Sequence, residues 1–191
     1  MGRPRTITDE RVMAALAAAI GRVGAARLTL ADVAGEAGVS PGMLVQRYGT
    51  KRGLLLAFMR QAHQGGRLRE VYDSAPDPLE GLIRAVVDSV GPETAPEEFA
   101  NHLGFLHLEL ADEEFRELLA VFDETIRAEL TACVAGAVAA GQLVVGDVAA
   151  LVAAINSIRN GTQITWAMTR STSLAEAMRR DLTTLLAGYR P

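Results

Sequence analysis

"LTLADVAGEAGVSPGMLVQRYGTKRGLL", residues 28–55, contains three helix starts in close succession. Thr29 is an N-cap with Asp32 three residues on, a capping-box arrangement. Val33 and Ala37 mark the inward side of a short helix, and Gly38 supplies the left-handed residue that ends it. Ser40 caps the next helix, with Pro41 at its first position, where a missing N–H costs nothing. Gly49 ends that helix, and Thr50 caps another whose Leu54, Leu55, Phe58 and Met59 form a broad apolar stripe. A helix of about eight residues does not recover its nucleation cost alone. The two short helices must therefore be held by packing on longer neighbours.

Upstream, Thr8 caps a longer helix with Asp9 and Glu10 in its first turn, and Val12, Leu16, Ala19, Ile20 and Val23 recur at helical spacing before Gly24. Downstream, Ser74-Ala75-Pro76-Asp77-Pro78 and the stretch from Pro92 to Pro96 are breaks. Helices are expected over 79–90, 97–110, 113–140, 147–169 and 173–189. Asp147 and Ser173 cap the last two; Leu151, Val152, Ile155 and Trp166 stripe one, and Leu174, Met178, Leu182 and Leu185 the other. No stretch alternates as a strand does. The expected fold class is all-α: a three-helix N-terminal domain over 1–60, a fourth helix as connector to about 65, and a helical domain over 66–191.

Charge divides the chain in the same place. Residues 1–60 carry nine Lys/Arg against four Asp/Glu, whereas the remainder carries ten against nineteen. A basic first third on an acidic body points to a polyanion partner for the first third only. Two short helices joined through Ala37-Gly38-Val39-Ser40 fit a helix-turn-helix, whose second helix enters the DNA major groove. The helix starts at Thr29, Ser40 and Thr50 offer N–H groups and positive dipole ends to phosphate oxygens. Arg47 and Lys51 are placed to reach phosphates, and Gln46 suits a paired contact with an adenine edge. Pro41, Gly42 and Met43 keep the groove-facing turn small and apolar. Arg3, Arg5, Val45 and Tyr48 complete the candidate DNA-contacting set.

These residues resemble the DNA-binding domain of TetR-family transcriptional regulators. The resemblance rests on Thr29, Val33-Ala34, Ala37-Gly38-Val39-Ser40, Tyr48 and Lys51, and covers about residues 7–60. Two positions depart from the pattern: Val45 stands where the family usually has a tyrosine, and Arg47 where it has an aromatic residue or histidine. Val45 is left with two readings, contact with a thymine methyl or packing inward.

The resemblance implies a helical C-terminal domain that binds a small molecule and dimerises through the last two helices, 147–169 and 173–189. Paired recognition helices would then read a palindromic operator in double-stranded DNA. Candidate ligand contacts are Phe99, His102, Phe105, Leu106, Phe122, Asn156, Asn160, Gln163 and Trp166, for a largely apolar effector. The expected function is a homodimeric repressor released by that effector. The alternatives are an activator, or an interaction or sensing module that has lost specific DNA binding.

Other classes find little support. His102 and His107 are five residues apart, about 140° around a helix, and do not converge on one ion. The lone Cys133 sits in an Ala/Val-rich segment without a neighbouring His or acid. No phosphate-binding glycine loop occurs. No enzyme activity, cofactor or metal is expected. The uncharged stretch 130–146 is interrupted by Gly136, Gly141 and Gln142 and is shorter than the roughly 20 residues of a membrane span. With no signal-like N-terminus, a cytoplasmic location is expected.

Overall fold

The computed structural model describes residues 7–62, 67–91 and 95–191, and every regular element among them is a helix. Arg3 and Arg5 lie outside the described residues, as do Gly65 and Pro92. The elements are α1 (Asp9–Val23), α2 (Leu30–Ala37), α3 (Pro41–Tyr48), α4 (Lys51–Ala62), α5 (Arg67–Asp73), α6 (Pro78–Ser89), α7 (Pro96–Ala111), α8 (Glu113–Ala139), α9 (Val148–Thr169) and α10 (Leu174–Ala187). The caps at Thr8, Thr29, Ser40, Asp147 and Ser173 each accept a first-turn N–H as their positions require. Helix α5 has no counterpart in the sequence reading. Its buried residues are the single i,i+4 pair Leu68 and Tyr72, too short a pattern to register as periodicity.

Packing divides the chain into two compact units. The first joins Met1–Gln64 with Thr94–Ala120; the second joins Gly65–Glu93 with Val121–Pro191. By packing, residues 94–120 thus go with the first four helices rather than with the rest of the helical body. Specific contacts account for this. Asn101 Nδ2 donates to the Gly21 carbonyl at 2.7 Å, the Phe105 and Phe58 rings lie 6.3 Å apart, and Arg52 forks onto Asp112 at 2.9 Å. Glu114 accepts from both Arg52 (2.7 Å) and Arg60 (2.9 Å).

In the first unit, Val12, Leu16 and Ala19 of α1 are fully buried against Val33, Leu44 and Leu54. Each short helix therefore has at least one anchor in a shared core, which offsets the nucleation cost it cannot meet alone. Gly53 is the tightest point. A Cβ there would lie 2.2 Å from the Tyr48 carbonyl oxygen, so only glycine lets α4 start this close to the end of α3.

In the second unit, Leu82, Leu130, Ile155, Met178 and Leu182 form the centre of a separate core. Gln142 ties its ends together, donating to Asp77 at 2.9 Å while accepting the Leu79 N–H at 2.9 Å. The stripes of α9 and α10 that the sequence suggested for dimerisation are consumed here: Leu151, Val152, Ile155, Leu174, Met178 and Leu182 are buried within their own unit. What α9 leaves outside is Ile164 and Met168, the latter 74% exposed.

Candidate nucleic-acid interface

The turn between α2 and α3 has the geometry its residues predict. Gly38 adopts φ 71°, ψ 38°, the left-handed conformation, and its N–H caps the Ala34 and Gly35 carbonyls. Val39 then donates to the Ala34 carbonyl at 2.9 Å and packs half-buried on the core. This fixes α3 by one fully buried side chain, Leu44, with Met43 and Tyr48 half-buried beside it.

The opposite side of α3 is open. Pro41, Gly42, Val45 and Gln46 are exposed and, at about 100° per residue, fill one arc of about 140°. Val45 is 49% exposed, so of its two readings inward packing is not the one adopted. The arc is small and uncharged, with Gln46 at its edge as a donor–acceptor pair.

The three helix starts differ in electrostatics. At α2 the capping box occupies the Thr29 and Asp32 N–H groups, and the Thr29 hydroxyl donates to Asp32 at 2.6 Å. These hydrogen bonds from Thr29 hold the Asp32 carboxyl below the usual carboxylate range, leaving an anion at that helix end. Helices α3 and α4 have no acid in their first turns. Ser40 Oγ accepts the Met43 N–H at 3.3 Å, and Thr50 Oγ1 the Gly53 N–H at 3.1 Å. The N–H groups of Gly42, Lys51 and Arg52 remain as first-turn donors without helical acceptors.

The two cations of the candidate set that are among the described residues, Lys51 and Arg47, are held by the chain itself. Lys51 Nζ donates to the Ala25 and Ala26 carbonyls at 3.1 and 3.2 Å, closing the turn after α1. Arg47 lies on the α1 side of α3. It pairs with Asp9 at 2.7 Å, donates to the Ile7 carbonyl at 3.0 Å and stacks over Tyr48. The Tyr48 hydroxyl donates to the same Asp9 carboxylate. Burial, followed by that hydrogen bond, pushes the Tyr48 phenol up to about 12, so it stays a donor. Asp9 thus joins the start of α1 to the end of α3, a role that its place as a first-turn acid did not disclose.

Comparison with known proteins agrees with this geometry. Residues 12–58 match the family model for bacterial regulatory proteins of the tetR family. The chain is also 28% identical over 189 residues to an uncharacterized HTH-type transcriptional regulator of Mycobacterium tuberculosis (strain ATCC 25618 / H37Rv), covering 99% of this chain and 97% of that one. Residues 12–58 thus form a DNA-binding domain of the tetR type. Another relative is the HTH-type transcriptional regulator BetI of Rhizobium meliloti (strain 1021), 33% identical over 118 residues. That match covers 58% of this chain and 56% of BetI, so the chain spans little more than half the length of that relative. Among solved structures, a TetR transcription regulator from Haloarcula marismortui ATCC 43049 shares the fold at a TM-score of 0.77 and 22% identity, over 96% of this chain and 98% of that one. A putative transcriptional regulator from Saccharomonospora viridis, solved in complex with choline, does so at 0.74 and 17%, over 94% and 95%.

The sequence-read ligand residues are divided between the two units. Phe99, His102, Phe105 and Leu106 are on α7 in the first unit, where Phe105 is core and His102 and Leu106 are exposed. Phe122, Asn156, Asn160, Gln163 and Trp166 are in the second. Asn160 is exposed there, Phe122 packs on the core, Gln163 donates to the Arg159 carbonyl at 2.9 Å, and Trp166 Nε1 to the Thr172 carbonyl at 2.9 Å. Asn156 is buried and donates to Asp123 at 2.6 Å.

Two charged residues absent from the sequence reading are buried: Glu109 (8% exposed) and Arg159 (9%). Each had a legible signal, a charge on an apolar stripe. Glu109 lies one helical turn beyond Phe105, and Arg159 one turn beyond Ile155. Burial alone lifts the Glu109 carboxyl to about 7. Burial lowers the Arg159 guanidinium, opposed by the charge of Asp123. Cys133 is fully buried, and its thiol is pushed up to about 11, which leaves it protonated and unreactive. Among the described residues no helix is long and apolar enough to cross a membrane, and no three His, Cys, Asp or Glu side chains group as a metal site would require.

Proposed function

We propose that this protein is a TetR-family transcriptional regulator, a homodimeric repressor that binds a palindromic operator through α3 and is released by a small-molecule effector. The observation that carries the reading is the exposed Pro41–Gly42–Val45–Gln46 arc lying between two helix starts free of acids. An uncharged, close-fitting helix face reads base edges, while the starts of α3 and α4 receive phosphates on either side. Ser40, Thr50 and Lys51 mark those phosphate positions. Thr29 contributes less than they do, because Asp32 stands beside it. Met43 and Tyr48 support the helix from behind. Arg47 reaches a phosphate by exchanging its Asp9 carboxylate for one, an isoelectric swap that DNA itself drives through counterion release. Arg3 and Arg5 complete the proposed DNA-contacting set by their charge alone.

Dimerisation uses the faces of α9 and α10 that their own unit leaves uncovered, with Ile164 and Met168 at the contact. Effector control runs through α4, which Arg52, Phe58 and Arg60 fasten to residues 105–115. An effector that favours a different seating of those residues carries α4, and with it α3, away from the spacing the operator demands. Release requires that the effector bind the DNA-incompetent state more tightly; equal affinity would shift nothing. The Saccharomonospora viridis protein, solved in complex with choline, supports a small-molecule effector; an apolar one and a cytoplasmic location complete the proposal.

The test is fluorescence anisotropy with the duplex upstream of the protein's own gene and a scrambled duplex, between about 50 and 200 mM salt. Specific retention at the higher salt is expected, at least about 1000-fold tighter than on the scrambled duplex. Equal binding to both, or none, removes the repressor reading.

A further inference from the structure

Arg159 of α9 is a buried cation with no ion-pair partner among the described residues. Asp123 of α8 accepts from Arg127 at 2.5 Å and from Asn156 Nδ2 at 2.6 Å. The Asn156 amide then turns its oxygen to Arg159 Nε at 3.1 Å. Arg159 is thus separated from the nearby carboxylate by a neutral amide, and that carboxylate is already paired with Arg127. Among the described residues no acid pairs with Arg159, and its two Nη atoms have no protein acceptor. Those atoms are not sealed off, since they are not among the buried nitrogens that lack a partner. Arg159 is 9% exposed as a residue, on the same face of α9 as Ile155, and its fork reaches accessible space with donors left for an anion.

We propose that Arg159 is the recognition point for a small monoanionic carboxylate with an apolar body, held by the two free Nη donors as a forked pair. The proposal rests on the effector-responsive reading above and names the chemistry of the effector. The charge count selects the class. A single guanidinium without an ion-pair partner matches a carboxylate, whereas a phosphate monoester brings nearly two negative charges to a place where Asp123 already stands. The fork geometry fits a planar carboxylate with both oxygens engaged. Asn156, fixed between Asp123 and Arg159, orients the guanidinium and is a positioning residue. Phe122, half-buried and next to Asp123 on α8, offers the ligand's body an apolar side.

The probe is octanoate, with octanamide as its uncharged counterpart of the same length. Trp166 is the only tryptophan, 2% exposed and two helical turns from Arg159 on α9, so its fluorescence reports binding nearby. Saturable quenching or a spectral shift with octanoate is expected, with octanamide about 10- to 100-fold weaker. Arg159→Met should bring the two probes level, and Arg159→Lys should retain part of the preference for octanoate. Circular dichroism of both variants checks folding; if Arg159→Met does not fold, the wild-type ratio and Arg159→Lys decide. Equal binding of the two probes by the wild type, no binding of octanoate, or a preference that survives Arg159→Met would overturn the proposal. Operator anisotropy in the same samples separates the two readings. Arg159-dependent octanoate binding that leaves the operator bound keeps the site and removes effector control, whereas operator binding without octanoate binding removes the site alone.

Discussion

Replacing Glu109 by glutamine should stabilise this protein by an amount that grows as the pH rises from about 4.5 to about 7. The carboxyl is 8% exposed, and burial is the sole cause that raises it from 4.5 to about 7. The folded state therefore holds the proton more tightly than the unfolded chain does. Stability from this group is fully present below about pH 4.5, falls as pH rises through 7, and is level beyond. At about 1.36 kcal/mol per pKa unit, the interval has a ceiling of about 3.4 kcal/mol. Water reaching the remaining exposed edge reduces the expected figure to about 1–3 kcal/mol. Glutamine has nearly the same shape and cannot ionise, so Glu109→Gln should lie closest to the wild type at pH 5, the lowest pH measured, and exceed it by about 1–3 kcal/mol at pH 8. Urea denaturation followed by far-UV circular dichroism at pH 5, 6, 7 and 8 measures the difference, and subtracting the two proteins cancels every other titrating group. A difference that does not change with pH, or a variant weaker than wild type at pH 8, would refute the reasoning.

Other expectations concern the DNA-binding helices. Asp9→Asn releases Arg47 from its 2.7 Å ion pair and should steepen the slope of log affinity against log salt by about one, for specific and scrambled duplexes alike. An unchanged slope means Arg47 stays on the Ile7 carbonyl and serves only to seat α3. Gln46→Ala should relax preference at one base position in each half-site, at a cost of about 1–3 kcal/mol for the preferred base; a selection experiment returning the wild-type logo counts against base readout by Gln46. Gly53→Ala places a methyl 2.2 Å from the Tyr48 carbonyl oxygen and should cost about 1–3 kcal/mol of stability along with operator affinity. Wild-type melting and wild-type affinity together would show that α3 and α4 can separate freely.

The helix-turn-helix was legible because its signals are local. Thr29, Ser40, Thr50, Gly38 and Gly49 each specify a cap or a bend through their own side chain or lack of one, and no distant residue is needed to interpret them. Arg47 and Lys51 were read as free cations because their partners are far away in sequence: Asp9 and Ile7 for one, Ala25 and Ala26 for the other. The placement of residues 94–120 with the first helices was hidden for the same reason, since it depends on Asn101 meeting Gly21 and Asp112 meeting Arg52. Periodicity also named the correct stripes on α9 and α10 while leaving open what covers them. An apolar stripe reads alike whether its cover is the same unit or a second copy.

Charge is where local reading and packing part most clearly, and the helix starts show why. All three N-termini of the region look equivalent by sequence, each a hydroxyl residue before a short helix. In the fold they are not. The capping box that makes α2 the most securely started of the three does so by placing Asp32 on the N–H groups a phosphate would need. Helices α3 and α4 are capped by Ser40 and Thr50 alone, which satisfy one N–H each and bring no charge. A stronger cap and a phosphate site are therefore competing uses of the same backbone groups. The region assigns the first to the supporting helix and the second to the helices that flank the groove. Asp32→Asn tests this division: it should weaken the α2 cap by about 0.5–1 kcal/mol while strengthening DNA binding of all sequences. Weaker binding to the scrambled duplex would mean the α2 start never faces the backbone.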